Sequence, residues 1–354
     1  MEAPGRSNPT DGREDPIGYF IQDMEFHGKS ERTKEAYERV LREFERFLAD
    51  PDRNPSGKRL TPADAGERDC MAWIHNLRGE LGASTIATYA SYLHRFYAYM
   101  NQVGVLSENP MTLVMEELDE SIEKDPDRRE ISLPEMREFV AALSHPLDRA
   151  VVVCLLKTGM RVGELCNLDL RDIAIEDPEL EEVYALGTRP QLSGRPDSIY
   201  VDSEPQRDVI VNGERRSASN KRQRSTIVPI DAELKAVLKA YLAIRPEAIS
   251  DAKPLFVATK REWGKRLTPQ AVRSIVSQPA KERGWYRKGG GASENVTPHY
   301  FRHFFTTHMR DRTGDRGVVK YLRGDVADDI IDTYTHNWGD SIRRSYVENI
   351  YSIL

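Results

Sequence analysis

Residues 158–165 read Thr158-Gly159-Met160-Arg161-Val162-Gly163-Glu164-Leu165. They follow the apolar run 151–156, which predicts a buried helix stopped at Thr158-Gly159. An arginine thus stands just beyond the end of a buried helix, with Glu164 at i+3. Taken alone, that is an ordinary weak surface pair. Its place at the end of a buried element makes it the centre from which the second half of the chain is read.

Downstream, 176–218 begins acidic (Glu176, Asp177, Glu179, Glu181, Glu182) and turns strand-like at 198–201 and 209–211, with Asn212-Gly213 as a turn signal. A short strand at 224–228 is stopped by Pro229, and a helix covers 232–242. Gly289-Gly290-Gly291 is a flexible loop, and a helix with aromatic and basic faces starts at Pro298. Upstream, Ser132-Leu133-Pro134-Glu135 opens a helix with proline in its first turn. The charged run 116–130, EELDESIEKDPDRRE, has little to bury and reads as a linker. Before it, apolar residues recur at helical spacing: Ile17, Phe20, Ile21 and Met24; Tyr37, Val40, Leu41, Phe44, Phe47 and Leu48; a helix over about 64–79; and Ile86 through Met100. The expectation is a disordered tail over 1–13, an all-helical domain over 14–115, and a second domain over 131–354. The fold class is mainly α with a small β-sheet (α+β).

The 354 residues carry 51 Lys+Arg against 57 Asp+Glu, a net charge of -6. That balance argues against a nucleic-acid partner unless the charges are segregated. The three cysteines, Cys70, Cys154 and Cys166, are too few for a disulfide framework and form no CxxC pair for zinc. No apolar run approaches the ~20 residues that span a bilayer, and the polar N-terminus has no signal-peptide core. A reduced, cytoplasmic protein without a membrane partner is expected.

A second segment, Thr297-Pro298-His299-Tyr300-Phe301-Arg302-His303, places His299 and Arg302 on one face of a first helical turn, where both reach one small anion. A metal site on His299, His303 and His308 is disfavoured, because the zinc-protease pattern needs a glutamate where Tyr300 stands. The stretch 215–224 is basic with no acid: Arg215, Arg216, Lys221, Arg222 and Arg224. Lys260, Arg261, Lys265 and Arg266, then Arg283, Arg287 and Lys288, add positive segments interleaved with Trp263, Trp285 and Tyr286. Such loops are usually solvated faces; a place beside a phosphate-binding site would favour phosphate contact instead.

In order and spacing these segments resemble the tyrosine recombinases, the phage integrase family. The family's TGxRxxEL box stands at 158–165, its HxxRH box at 299–303, and its YTH triplet at Tyr334-Thr335-His336. Its hairpin lysine, counted back from Val228-Pro229, is Lys221. Thr33, Tyr37, Phe44 and Phe47, with 84–110, resemble its helical core-binding domain. Three departures stand out. Gly324-Asp325 replaces the usual Gly-His or Gly-Trp, and an ionised aspartate cannot donate to a phosphate oxygen. The stretch between Arg161 and Lys221 is longer than usual. A shifted register would make His336 the missing histidine and Tyr346 the nucleophile, although the spacing from Arg302 to Gly324-Asp325 favours Tyr334.

The resemblance implies a site-specific recombinase that cuts and rejoins duplex DNA through a 3′-phosphotyrosine. Tyr334 is the nucleophile, Arg161 and Arg302 the phosphate clamp, Lys221 the general acid, and His299 a base or positioning group. Glu164, Asp325 and His336 support them. It needs no cofactor, metal or small-molecule substrate, and it implies a homotetramer on double-stranded DNA. The helix after Tyr334, with Ile342, Tyr346, Ile350 and Leu354 on one face, is expected to dock either on a neighbouring protomer or in cis. The alternatives are a topoisomerase-like strand swivelase and an inactive DNA-binding relative. The acidic surface suits a salt-rich cytoplasm, so DNA binding is expected to persist in molar potassium chloride.

Overall fold

The computed structural model describes residues 14–121, 128–325 and 338–354. The chain divides into two compact units, Met1–Pro126 and Asp127–Leu354.

Among its described residues the first unit is all helical: α1 (Pro16–Phe26), α2 (Glu31–Leu48), α3 (Glu67–Arg78), α4 (Ala83–Gln102) and α5 (Thr112–Glu116). Capping side chains set the starts. Asp15 accepts from Gly18 N ahead of Pro16, and Ser30 accepts from Thr33 N. The third helix starts later than the sequence predicts because Asp64 accepts from the Thr61 backbone and hydroxyl instead, while Asp69 takes the N–H of Gly66. The apolar faces close on Phe20, Phe44, Trp73, Phe96 and Tyr97, with Phe44 and Trp73 rings 5.1 Å apart. Each such buried side chain contributes roughly 1.5–3 kcal/mol. The predicted linker is partly structured: Leu118 packs on this core, and Glu120 pairs with Arg78 at 2.6 Å.

The second unit is built around α7. Its helices are α6 (Leu133–Ala141), α7 (Pro146–Thr158), α8 (Val162–Asn167), α9 (Pro178–Val183), α10 (Ala232–Leu242), α11 (Pro269–Glu282), α12 (Pro298–Thr313), α13 (Arg316–Arg323) and α14 (Trp338–Asn349). Helix α7 is buried on every side from Ala150 to Thr158, because α10, α11 and α12 all pack on it. The strands are β1 (Ile173–Ala174), β2 (Ser198–Val201), β3 (Ile210–Val211), β4 (Glu214–Arg215) and β5 (Thr226–Pro229). An antiparallel sheet runs β1-β2-β5, with Ile199 opposite both Ile173 and Val228. The pair β3–β4 is a hairpin whose turn residues, Asn212 and Gly213, have φ of 53° and 79°. Strand β5 is shifted from the predicted 224–228, because Gln223 N is tied to Gly324 O and holds the preceding residues as a loop. Pro229 is the last strand residue, paired with Ser198, and not a residue outside it.

The C-terminal segment packs on its own unit, the cis alternative of the two docking modes. Ile342, Tyr346, Tyr351 and Ile353 are in the core, whereas Leu354 is exposed. The buried Lys157 ammonium holds this end through Asp231 (2.6 Å), Glu233 (2.7 Å) and the carbonyl of Tyr351 (2.5 Å).

Candidate active site

Helix α7 ends on Gly159 in the left-handed region, φ 61°. A β-carbon there would run into the Phe305 ring on α12, so glycine lets the two helices close together. The Gly159 carbonyl accepts from Arg302 Nη1 at 2.6 Å. One residue beyond Met160, Arg161 caps α8. Its N–H donates to Glu164 Oε2 at 2.9 Å and its Nη1 to Glu164 Oε1 at 3.1 Å. This is no surface pair: Glu164 is fully buried and also accepts from Arg222 Nη2 at 3.1 Å. One carboxylate therefore fixes both the first arginine and the segment that bears Lys221.

Arg302 lies on the buried side of α12, 2% exposed. Besides Gly159, its Nη1 donates to the carbonyl of Arg323 at 3.1 Å. Its Nη2 reaches Asp325 Oδ2 at 2.6 Å, while Arg161 Nη2 reaches Asp325 Oδ1 at 2.7 Å. A third guanidinium, Arg323, meets Asp325 Oδ2 at 2.9 Å. Three cations, one from each of the two boxes and Arg323 from beside Gly324, thus converge on one half-buried carboxylate. Burial, then the neighbouring Arg323 and Arg161, push the Arg302 pKa down to about 10, so it stays charged at neutral pH. Partial burial works against the charge on Asp325, but Arg302, Arg323 and Arg161 outweigh it and lower its pKa.

His299 is exposed on the first turn of α12. Its pKa is lowered, by partial desolvation first and then by the guanidiniums of Arg128, Arg302, Arg161 and Arg323. Lys221 is exposed in the loop between β4 and β5. Its neighbours are pinned: Asn220 bonds Asn167 and the carbonyl of Asp202, and Arg222 bonds Glu164, Thr226 and the carbonyl of Leu322. Tyr334 and His336 lie outside the described residues. Tyr346 does not suit a nucleophile. It is wholly buried, its hydroxyl donates to the carbonyl of Lys157 at 2.9 Å, and burial raises its pKa well above the ordinary tyrosine value. Among the described residues no group of histidine, cysteine, aspartate and glutamate is arranged to hold a metal.

The expected DNA-contacting cations separate into two kinds. Arg215, Arg224, Lys260, Arg261 and Lys265 are exposed, and Trp263 among them is 60% exposed. Arg216, Arg222 and Arg266 are buried, which corrects their reading as phosphate contacts. Arg216 donates to both oxygens of Asp169, at 3.1 and 2.7 Å, and Arg266 bridges Asp169 (2.6 Å) and Glu214 (2.5 Å). The interleaved Trp285 is also core, stacked on Phe139 with ring centres 5.4 Å apart. Arg287 is taken by Glu294 at 2.7 Å. The sequence reading missed Arg323. Its one signal is position, immediately before the Gly324-Asp325 pair that departs from the expected pattern.

A cluster with this geometry can neutralise a small dianionic or monoanionic centre without a metal. Residues 201–339 match the phage integrase family and 19–104 match the phage integrase N-terminal SAM-like domain. The chain belongs to the phage integrase family, the tyrosine recombinases. As a tyrosine recombinase it is a DNA breaking and rejoining enzyme, and the swivelase and inactive readings are not favoured. The recombinase is 24% identical over 322 residues to tyrosine recombinase XerC of Thermodesulfovibrio yellowstonii, covering 87% of each chain. Its fold is like that of the Tn1549 transposon integrase in complex with transposon right end DNA (TM-score 0.61, 19% identity, 93% and 97% of the two chains). It is also like that of a lambda integrase tetramer bound to a Holliday junction (TM-score 0.60, 14% identity, 92% and 83%). Among the described residues no helix is long and apolar enough to cross a membrane.

Proposed function

We propose that the recombinase cuts one strand at a time by attack of Tyr334 on a scissile phosphodiester, leaving a 3′-phosphotyrosine and a free 5′-hydroxyl. The P–O bond to tyrosine replaces the P–O bond to the sugar, so the strand is resealed by the reverse step without ATP. The observation that supports this reading is the convergence of Arg161 Nη2 and Arg302 Nη2 on the two oxygens of a single carboxylate, at 2.7 and 2.6 Å. A carboxylate and the non-bridging oxygens of a phosphodiester present the same paired, singly charged acceptor. Guanidinium groups fixed there stabilise the charge that concentrates on those oxygens in the pentavalent transition state.

In this reading Glu164 is a positioning residue for Arg161, through two hydrogen bonds. Lys221 protonates the leaving 5′-oxygen. His299, its pKa lowered by partial desolvation and then by the neighbouring guanidiniums, takes or orients the tyrosine proton. The helical unit serves as the core-binding domain, and Lys260, Arg261, Lys265, Arg215 and Arg224 contact the backbone of the duplex. Exchange needs paired cuts on two duplexes, so the active assembly is a tetramer on DNA. The three cysteines are free and buried, which supports a reducing, cytoplasmic setting.

The test starts by selecting a binding site from a random duplex library. That site is then built into a nicked suicide duplex from which the cleaved end diffuses away. A covalent adduct mapped to Tyr334, and retained by Tyr346→Phe, is the expected outcome. No adduct, or one on another residue, contradicts the assignment. Recombinant products between two duplexes, as opposed to relaxation alone, separate recombination from strand swivelling.

A further inference from the structure

We propose that Asp325 is a built-in stand-in for the scissile phosphate: its carboxylate occupies the clamp of the DNA-free enzyme, and cleavage requires DNA to displace it. The proposal rests on reading Arg161 and Arg302 as the phosphate clamp. It adds Arg323 to that clamp as a third phosphate-binding guanidinium.

Both oxygens of the carboxylate are in use. Oδ1 meets Arg161, and Oδ2 meets Arg302 and Arg323. Among the described residues the other carboxylate paired with these cations is Glu164, fully buried and engaged by the Arg161 backbone and by Arg222. It cannot leave without stranding Arg222 in the interior. Asp325 differs. It is half-buried, and it sits just past Gly324, the left-handed cap of α13. Its backbone is aimed from both sides: Asp325 N donates to Lys320 O at 3.0 Å, and Gly324 O accepts from Gln223 at 3.1 Å. The side chain is therefore delivered to the clamp by a fixed turn.

Charge completes the inference. Arg302 is almost wholly buried and cannot stand without a counter-anion. In the free enzyme Asp325 supplies one. A phosphodiester carries the same charge on a similar pair of oxygens, so the two anions compete for one seat. Among the described residues Arg323 Nε has no hydrogen-bond partner, so Asp325 does not saturate this guanidinium. An ionised aspartate at this position gives the phosphate no donor. What it gives is selectivity. A carboxylate tethered beside the clamp competes at high effective concentration, and only a phosphate delivered by the rest of the DNA interface outcompetes it.

The test uses the full chain and inorganic phosphate as the probe, with thermal unfolding followed at constant ionic strength set by potassium chloride. Asp325→Asn keeps the shape and removes the charge. Its half-saturating phosphate concentration is expected to fall about tenfold below wild type, the size of one charge-assisted contact. Adding Arg323→Gln to that variant is expected to reverse part of the gain. On the suicide duplex, Asp325→Asn is expected to show an apparent KM lower by about the same factor. Equal phosphate response in wild type and Asp325→Asn overturns the proposal. So does an unchanged KM with a collapsed kcat, which would put the carboxylate to work in the bound state. Should Asp325→Asn fail to fold, Asp325→Ser offers the same readout in a smaller side chain. Independently, a structure of the Tyr334→Phe protein on DNA must show the carboxylate withdrawn from Arg161 and Arg302; retention of both contacts contradicts displacement. The two readings fail differently. Absence of any adduct sinks the recombinase assignment, whereas an adduct without the phosphate gain sinks only this inference.

Discussion

Two clusters of arginine in the second unit look alike in burial and differ in balance. In one, Arg216, Arg266, Arg171 and Arg189 face Asp169, Glu214, Asp172 and Asp202. Four guanidiniums meet four carboxylates. In the other, Arg161, Arg302, Arg323 and Arg222 face Glu164 and Asp325. Among the described residues, four guanidiniums meet two carboxylates. The difference is visible in two matched residues. Burial lowers the pKa of Arg266, but Glu214 and Asp169 outweigh it and the net shift is upward. Burial lowers that of Arg302 too, Arg323 and Arg161 add to the effect, and the net shift is downward. The neutral cluster is a fastener: it ties the β3–β4 hairpin to the 166–172 segment through Asp169. The unbalanced cluster holds surplus positive charge in a fixed, partly dehydrated place, which is what an anionic transition state needs.

The contrast is broken or sharpened by variants on either side. Arg302→Gln is expected to slow single-turnover cleavage on the order of a hundred- to a thousandfold, with the fold retained. Stability loss without a cleavage defect would reverse the assignment. Asp169→Asn belongs to the other cluster. It strands two buried guanidiniums and is expected to cost about 3–5 kcal/mol in denaturant unfolding, while residual folded enzyme still cleaves. Next, Gly159→Ala forces a side chain into the left-handed region against Phe305. It is expected to cost at least about 2 kcal/mol, and to lower cleavage by shifting the carbonyl that holds Arg302.

A subtler effect concerns pH. His299 has a folded pKa below its unfolded value, so the native state binds fewer protons. Its contribution to stability is complete above about 6.5 and is lost as pH falls through that value toward the folded one. The acid limb of the cleavage rate is expected below about 6.5, and His299→Ala should remove that limb. A limb centred at or above the ordinary histidine value contradicts the cationic environment. The smallest effect is at the exposed turn. Lys260→Ala is expected to weaken DNA binding equally for all sequences and to reduce the salt slope by about 1.

Much of this was legible in the sequence, because local periodicity decides it. The helix faces of the first unit and the stop at Gly159 follow from spacing; the shared face expected of His299 and Arg302 does not, since Arg302 is buried and His299 exposed. What was not legible depends on distant partners. The run 215–224 contains no acid, so each of its cations looks free. Arg216 is nevertheless buried against Asp169, and Arg222 against Glu164, partners that local reading cannot reach. Likewise Tyr346 lies at a plausible distance from His336, and only the packing of α14 against β5, α12 and α13 buries it with its hydroxyl on the carbonyl of Lys157. Asp325 looked like a loss, an acid where a donor is usual. The fold places it among three arginines, where its negative charge has a use.

The most direct measurement is single-turnover trapping on the suicide duplex with wild type, Arg161→Gln, Arg302→Gln and Arg266→Gln side by side, each scored by its folded fraction. The expected result is a Tyr334 adduct in wild type and in folded Arg266→Gln, and almost none in the two clamp variants. Wild-type adduct rates in folded Arg161→Gln or Arg302→Gln would contradict the claim that the unbalanced cluster performs the chemistry.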